Sequence, residues 1–156
     1  MSNKPVTENL KKVLADTYSL LTKTQNYHWN VEGPNFSALH LLFEGQYNEL
    51  FAAVDQIAER IRALGEKAPG SPSEFRKLSA ITEGNAEFDA NRMLKDLYES
   101  NQMVLSTLKK GLIAGEKASD ASTVDLLTQR ITAHDKASWM LKSSLPVEAK
   151  AKVKIA

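Results

Sequence analysis

Long stretches with few helix breakers, separated by concentrated breaker signals, constrain this chain of 156 residues more than any other feature. The strongest of these signals fall at Gly33-Pro34, at Gly65 followed by Pro69-Gly70-Ser71-Pro72, and at Pro146. Upstream of the first, apolar or half-polar residues recur at Leu10, Leu14, Thr17, Leu21 and Thr24, with Val13 and Leu20 widening the stripe. That three-to-four spacing is the signature of an amphipathic helix, and it predicts a first helix over about Thr7 to Val31. Gly33-Pro34 ends it, because glycine tolerates positive φ and proline restricts the residue before it. A second helix is predicted from Ala38 to Leu64, with Ser37 as N-cap and Gly65 as the stop, a rod of about 40 Å at about 1.5 Å per residue. A third spans Ala86 to Gly115. A fourth runs from Thr123 to Leu145, capped by Ser122 and stopped by Pro146. The connection from Glu66 to Asn85 reads as a linker with a short helix near Glu74 to Ser79. Four long helices in a single domain over residues 1–156 give an all-α four-helix bundle, and the length of the linker permits a long crossover. Residues 1–6 are expected to form a short N-terminal segment and residues 147–156 a mobile, lysine-containing tail.

Composition narrows the chemistry. The chain has no cysteine, so a metal site must be built from oxygen and imidazole ligands, which suits iron, manganese or zinc. The start, Met1-Ser2-Asn3-Lys4-Pro5, lacks the apolar core of a signal peptide, and no apolar run reaches membrane-spanning length. The expectation is a cytoplasmic protein without a membrane partner. A net charge of +1 supplies no global field for nucleic acid, so DNA binding would need a local patch.

The chain carries three histidines, His28, His40 and His134. His28 lies near the end of the first helix and His40 near the start of the second, so the Gly33-Pro34 turn brings them to the same end of a hairpin. At about 100° per residue, His40, Glu44, Asp55 and Glu59 fall at roughly 0°, 40°, 60° and 100° around the second helix, on one face. One reading is a solvated stripe of surface charge. The other is a metal site, but His40 and Glu59 stand about 28 Å apart along the axis, while direct metal bonds are close to 2 Å. The stripe therefore represents two incomplete sites, or a second subunit supplies the remainder. Two copies of this helix, antiparallel about a two-fold axis near Glu49 and Leu50, would set His40 and Glu44 of one opposite Asp55 and Glu59 of the other. That pairing gives two mixed sites about 22 Å apart, with Tyr47, Asn48, Phe51 and Ala52 at its centre. Glu-x-x-His pairs, the hallmark of conventional ferritin-type di-iron bundles, are absent from the sequence.

These residues also carry a family resemblance. Tyr27-His28-Trp29-Asn30-Val31-Glu32-Gly33-Pro34-Asn35-Phe36, then Leu39-His40 with Phe43-Glu44 and Tyr47, then Asp55 through Gly65, and finally His134-Asp135-Lys136 with Trp139-Met140-Leu141, resemble the Dps family (DNA-binding protein from starved cells), a branch of the ferritin-like proteins. The resemblance covers nearly the whole chain except its tails. It implies a four-helix subunit with a short helix in the long linker, assembled as a homododecameric shell of tetrahedral symmetry. It also implies ferroxidase sites at two-fold interfaces, where Fe(II) is oxidised to Fe(III) by hydrogen peroxide or oxygen and the mineral is stored inside, protecting DNA. By resemblance the iron ligands are His28, His40 and Glu44 of one chain with Asp55 and Glu59 of its neighbour. Glu44 stands where many members have aspartate, and its longer arm reaches the metal directly or through water.

Other residues carry two readings each. Trp29 is either a near-site aromatic that absorbs stray oxidising equivalents or an interface side chain. His134, on the apolar face of the fourth helix, reads as a buried, hydrogen-bonded histidine rather than a ligand. Asp120 and Asp125 flank the start of that helix, where acids meet the helix dipole favourably; in similar proteins acids here line a three-fold pore that draws cations inward. Lys150, Lys152 and Lys154 are either a solvated tail or a site of non-specific DNA contact, which would place the protein at the nucleoid. Two competing functions remain: a DNA-compacting protein with little iron chemistry, and a helical interaction protein that has kept the shell and lost the site.

Overall fold

The computed structural model describes residues 3–153, and among them every regular element is helical. α1 spans Lys4–Asn30, α2 Phe36–Ala63, α3 Pro72–Leu78, α4 Ala90–Lys117, α5 Ala121–Ser143 and α6 Val147–Lys150. α1 and α2 form one antiparallel hairpin and α4 and α5 a second, and α1 packs along α4. Because α2 ends beside the start of α1, where Lys11 meets Glu66, while α4 begins beside the end of α1, the linker must travel the length of the bundle. That is the long crossover of ferritin-like folds.

The core follows the predicted stripes. Leu10, Val13, Leu14, Leu20 and Tyr27 of α1 are buried with Phe43, Leu50, Ile57 and Ile61 of α2, Leu97, Val104 and Leu108 of α4, and Leu127 and Leu141 of α5. α4 and α5 approach closely because α4 presents glycines to its partner: a Cβ on Gly111 would lie 3.0 Å from Leu127 Cδ1, and one on Gly115 3.2 Å from Val124 Cγ2.

The helix ends depart from the sequence expectation for identifiable reasons. α1 begins at Lys4 rather than Thr7, since Pro5 is tolerated in the first turn and Val6 is already buried; residues 4–6 are helix, not a free segment. α2 begins after Asn35, so Ser37 lies inside the helix and is not its N-cap. α3 begins earlier than predicted because Ser71 and Glu74 form a reciprocal capping box. α4 begins at Ala90, not Ala86: Asn85 accepts from the Glu87 amide and holds a turn, and Asp89 then caps the Arg92 amide at 2.8 Å. Asp120, rather than Ser122, caps α5. The C-terminal segment is not a free tail over residues 147–153, for Val147–Lys150 form a short helix, Ala149 packs on the core, and Val153 is buried against it.

Candidate metal centre

The Gly33-Pro34 turn brings α1 and α2 together at one end of the bundle, with Gly33 at φ 116°, a conformation suited to glycine. There the His28 and His40 rings stack nearly parallel, centroids 3.8 Å apart and planes inclined by 14°. His28 Nδ1 lies 2.8 Å from the His40 carbonyl oxygen, and His40 Nδ1 lies 2.7 Å from the His28 carbonyl oxygen. A carbonyl only accepts, so each Nδ1 must carry the proton. Each Nε2 is thereby left as an unprotonated lone pair in the neutral ring. This is the arrangement in which protein histidines bind metal, the second nitrogen fixing tautomer and ring direction. An ion shared between near-parallel rings would leave the plane of each by most of a bond of about 2.1 Å, so the pair suits one histidine per ion.

Glu44 follows His40 by one helical turn and is half-buried; Asp55 and Glu59 are exposed further down α2. None of the three forms an ion pair or a side-chain hydrogen bond among the described residues. The i,i+4 pairing that would mark a merely solvated stripe is therefore not made by these acids. Nor do the five residues meet within the subunit, since no cluster of three or more ligating side chains is found among the described residues. Around the acids α2 exposes large apolar side chains, Phe51 at 70% and Leu41 at 64%, together with Asn48 and Ala52. Large apolar side chains left exposed beside unpaired acids on one helix are what an interaction surface requires. Trp29, next to His28, is 67% exposed, and among the described residues its ring does not stack on either imidazole of the pair.

His134 is buried, with Nδ1 2.8 Å from Asn101 Oδ1 and Nε2 3.3 Å from Arg130 Nη2. Burial, aided by the Arg130 charge, pushes its pKa down to about 3. It is a neutral core histidine whose two nitrogens are already bonded. Arg130 also forms a bidentate pair with Glu49 of α2. At the far end of the same seam Arg60 donates to Asp120 at 2.6 Å, and Asp120 accepts from the Thr123 amide and hydroxyl. Burial alone would raise the Asp120 pKa, but those donors outweigh it and hold the carboxyl below its usual range. Asp120 is thus a neutralised cap, whereas Asp125 is exposed and, among the described residues, accepts only from Gln129. Of the lysines, Lys150 is half-buried, Lys152 is exposed, and Lys154 lies outside the described residues.

Sequence reasoning missed two polar nodes, one at Asp16 and one around Asp96, and a third node that is aromatic. Buried Asp16 accepts from Ser79 Oγ, the Ala80 amide and Thr107 Oγ1. Lys23, 2% exposed, reaches Thr82, Asp96 and Ser100; burial lowers its pKa against the pull of Asp96. Tyr27 donates to Asp96 at 2.5 Å and accepts from the Asn85 amide, and burial together with that bond pushes its hydroxyl pKa up. The available signal was an ionisable residue inside an apolar stripe, Asp16 beside Thr17 and Lys23 beside Thr24. The third node lies against the histidines: Phe36 and Tyr47 flank them, each 5.1 Å from the nearer imidazole.

Residues 7–147 match the ferritin-like domain family. DNA protection during starvation protein 2 of Bacillus anthracis is 39% identical over 143 residues, covering 92% of this chain and 98% of that protein. Among solved structures, Dps from Staphylococcus aureus superposes with a TM-score of 0.90 at 32% identity, over 94% of this chain and 98% of that one. Dps from Vibrio cholerae O1, described as a member of a broad superfamily of ferritin-like diiron-carboxylate proteins, superposes with a TM-score of 0.87 at 27% identity, over 91% and 89%. With the crossover bundle and paired histidines already in place, these likenesses cover all but the ends of the sequence, and the chain belongs to the Dps family of ferritin-like proteins.

Proposed function

We propose that this protein is a ferroxidase that takes ferrous iron as substrate, oxidises it with hydrogen peroxide or oxygen at sites shared by two subunits, and stores the ferric product inside a homododecameric shell. The observation that carries this reading is the reciprocal histidine pair: two imidazoles locked through Nδ1, with both Nε2 lone pairs left for metal. The unpaired Glu44, Asp55 and Glu59 supply the carboxylates. In an antiparallel pairing of α2 helices about an axis near Glu49 and Leu50, His28, His40 and Glu44 of one subunit face Asp55 and Glu59 of the other, and Phe51 and Leu41 are covered by the same contact.

The chemistry follows from the donor set. Neutral imidazole with hard carboxylates holds ferrous iron without trapping it, and the negative charge of the acids favours the ferric state once an electron has left. Two ferrous ions each give one electron to hydrogen peroxide, its O–O bond breaks, and water is formed, so no hydroxyl radical is released. DNA is protected because both reactants that would damage it are consumed; this assigns the protein to the cytoplasm, near the nucleoid. Ferrous iron enters through a three-fold pore in which Asp125, bonded only to the neutral Gln129 side chain among the described residues, supplies the carboxylate charge, Asp120 being held by Arg60 and Thr123. Anaerobic titration with Fe(II), followed by peroxide, tests the proposal. A saturable ferrous site that is lost in the double variant His28→Ala/His40→Ala, and that consumes two Fe(II) per peroxide, is expected; no saturable site would reject it.

A further inference from the structure

The histidine pair is the centre of a longer column of rings. Phe36, His40 and Tyr47 all stand on α2, and His28 of α1 inserts between the last two. Going along the column, Phe36 lies 5.1 Å from His40 with planes inclined by 30°, His40 lies 3.8 Å from His28, and Tyr47 meets His28 edge-on at 5.1 Å and 70°. One hydrogen bond at Nδ1 fixes the tautomer and the mean direction of an imidazole, but a hydrogen bond tolerates bending, so the ring can still rock about that direction. What limits that rocking is ring contact, and the column supplies two contacts to each imidazole: Phe36 and His28 lie against His40, and His40 and Tyr47 against His28.

We propose that Phe36 and Tyr47 are positioning residues of the metal centre, outer members of the column that limit the rocking of both imidazoles so that each Nε2 is aimed before iron arrives. The inference rests on the ferroxidase reading. Phe36 has no group that can bind metal or carry a proton, so its part is purely one of contact. Tyr47 makes no side-chain hydrogen bond among the described residues, which assigns its part to the ring rather than to the hydroxyl. Positioning of this kind acts on metal binding: a rocking imidazole must be ordered when the ion binds, whereas the bound state and its chemistry are unchanged once formed.

The test uses the assembled protein and Co(II), followed by its visible absorption, as an oxidation-resistant probe, with light scattering to verify the shell. Tyr47→Leu and Phe36→Leu are each expected to bind Co(II) about 10-fold more weakly, the lower end of what loss of an outer-shell partner costs. Tyr47→Phe should stay close to the parent. In Fe(II) oxidation with peroxide the Leu variants should need more iron for half-saturation and reach a similar maximal rate. Phe36 is exposed, so its variant keeps the test decisive if Tyr47→Leu fails to assemble. Parent-like Co(II) affinity in both Leu variants would overturn the positioning role and leave the ferroxidase reading standing. So would an equal loss in Tyr47→Phe, which would shift the role to the hydroxyl. A parent protein with no saturable Co(II) site sensitive to His28→Ala would overturn the ferroxidase reading, and the column's role with it.

Discussion

His28 and His134 show how the same side chain is turned to opposite ends by its neighbours. His28 gives Nδ1 to a carbonyl and keeps Nε2 open; His134 has both nitrogens engaged and a charged Arg130 beside it. Burial and that charge set the His134 pKa at about 3, well below the ordinary 6.5. The unfolded chain therefore binds a proton that the folded chain refuses, and the stability this histidine confers is complete above about pH 6.5 and falls as pH drops toward 3, by up to about 1.4 kcal/mol per pH unit. His134→Gln, which can still donate to Asn101 and accept from Arg130, removes the titration. The melting temperature of the parent relative to this variant should fall steadily between pH 6.5 and 4.5; a constant difference would contradict the assignment. At this scale the site was half legible. The spacing of His28 and His40 about Gly33-Pro34 announces a pair, but their second partners are backbone carbonyls, which no side-chain pattern reveals. The spacing puts Tyr47 at the two-fold contact, and nothing in the pattern ties it or Phe36 to the imidazoles until their rings are placed.

Elements in this bundle are fastened by polar latches where apolar contact is thin. The linker between α2 and α4 has one short helix, whose Phe75 is buried, stacked on Tyr18 at 4.6 Å. Beyond it the chain is pinned to α1 at Asp16, Lys23 and Tyr27 in turn. Asp16 is buried without a cation, its oxygens taking one amide and two hydroxyl donors from the linker and α4. Asp16→Ala leaves the Ala80 amide without its acceptor and should cost about 2–3 kcal/mol, the usual penalty for orphaned buried donors. Hydrogen exchange in the assembled protein should accelerate at residues 79–85 ahead of the helices; unchanged protection there would show that the latch does not hold the linker. Helix existence was legible in the sequence because the apolar stripes are long and the breakers concentrated. Their ends were not, since at each start two or three polar residues compete. Asp89 and Asp120 win because each finds an amide in range, and Asp120 gains Arg60 from another helix, a partner that lies 60 residues away.

The subunit taken whole is incomplete on one face. Every long helix buries its apolar stripe within the bundle; α2 in addition leaves Phe51, Leu41 and the acids exposed on its other side, as α1 leaves Trp29 and α5 Trp139. The histidines stand at the turn end of α2 and Glu59 about 28 Å along it, so a single chain cannot bring them to one ion. Mixed assembly tests this directly. One variant lacks His28 and His40, another lacks Asp55 and Glu59, all as alanine; each is expected to form shells and to oxidise iron poorly, since every site in a uniform shell is broken. When equal amounts are unfolded and reassembled together, random pairing makes about half the two-fold dimers mixed. In a mixed dimer one site receives histidines from the acid-deficient chain and acids from the histidine-deficient chain, and is intact; the other site lacks both. About a quarter of the parent's sites should therefore return, visible as ferroxidase activity that rises only on co-assembly. If all ligands came from one chain, every chain in the mixture would still be defective. Mixed shells verified by native mass spectrometry but showing no recovery would rule out sites shared between subunits.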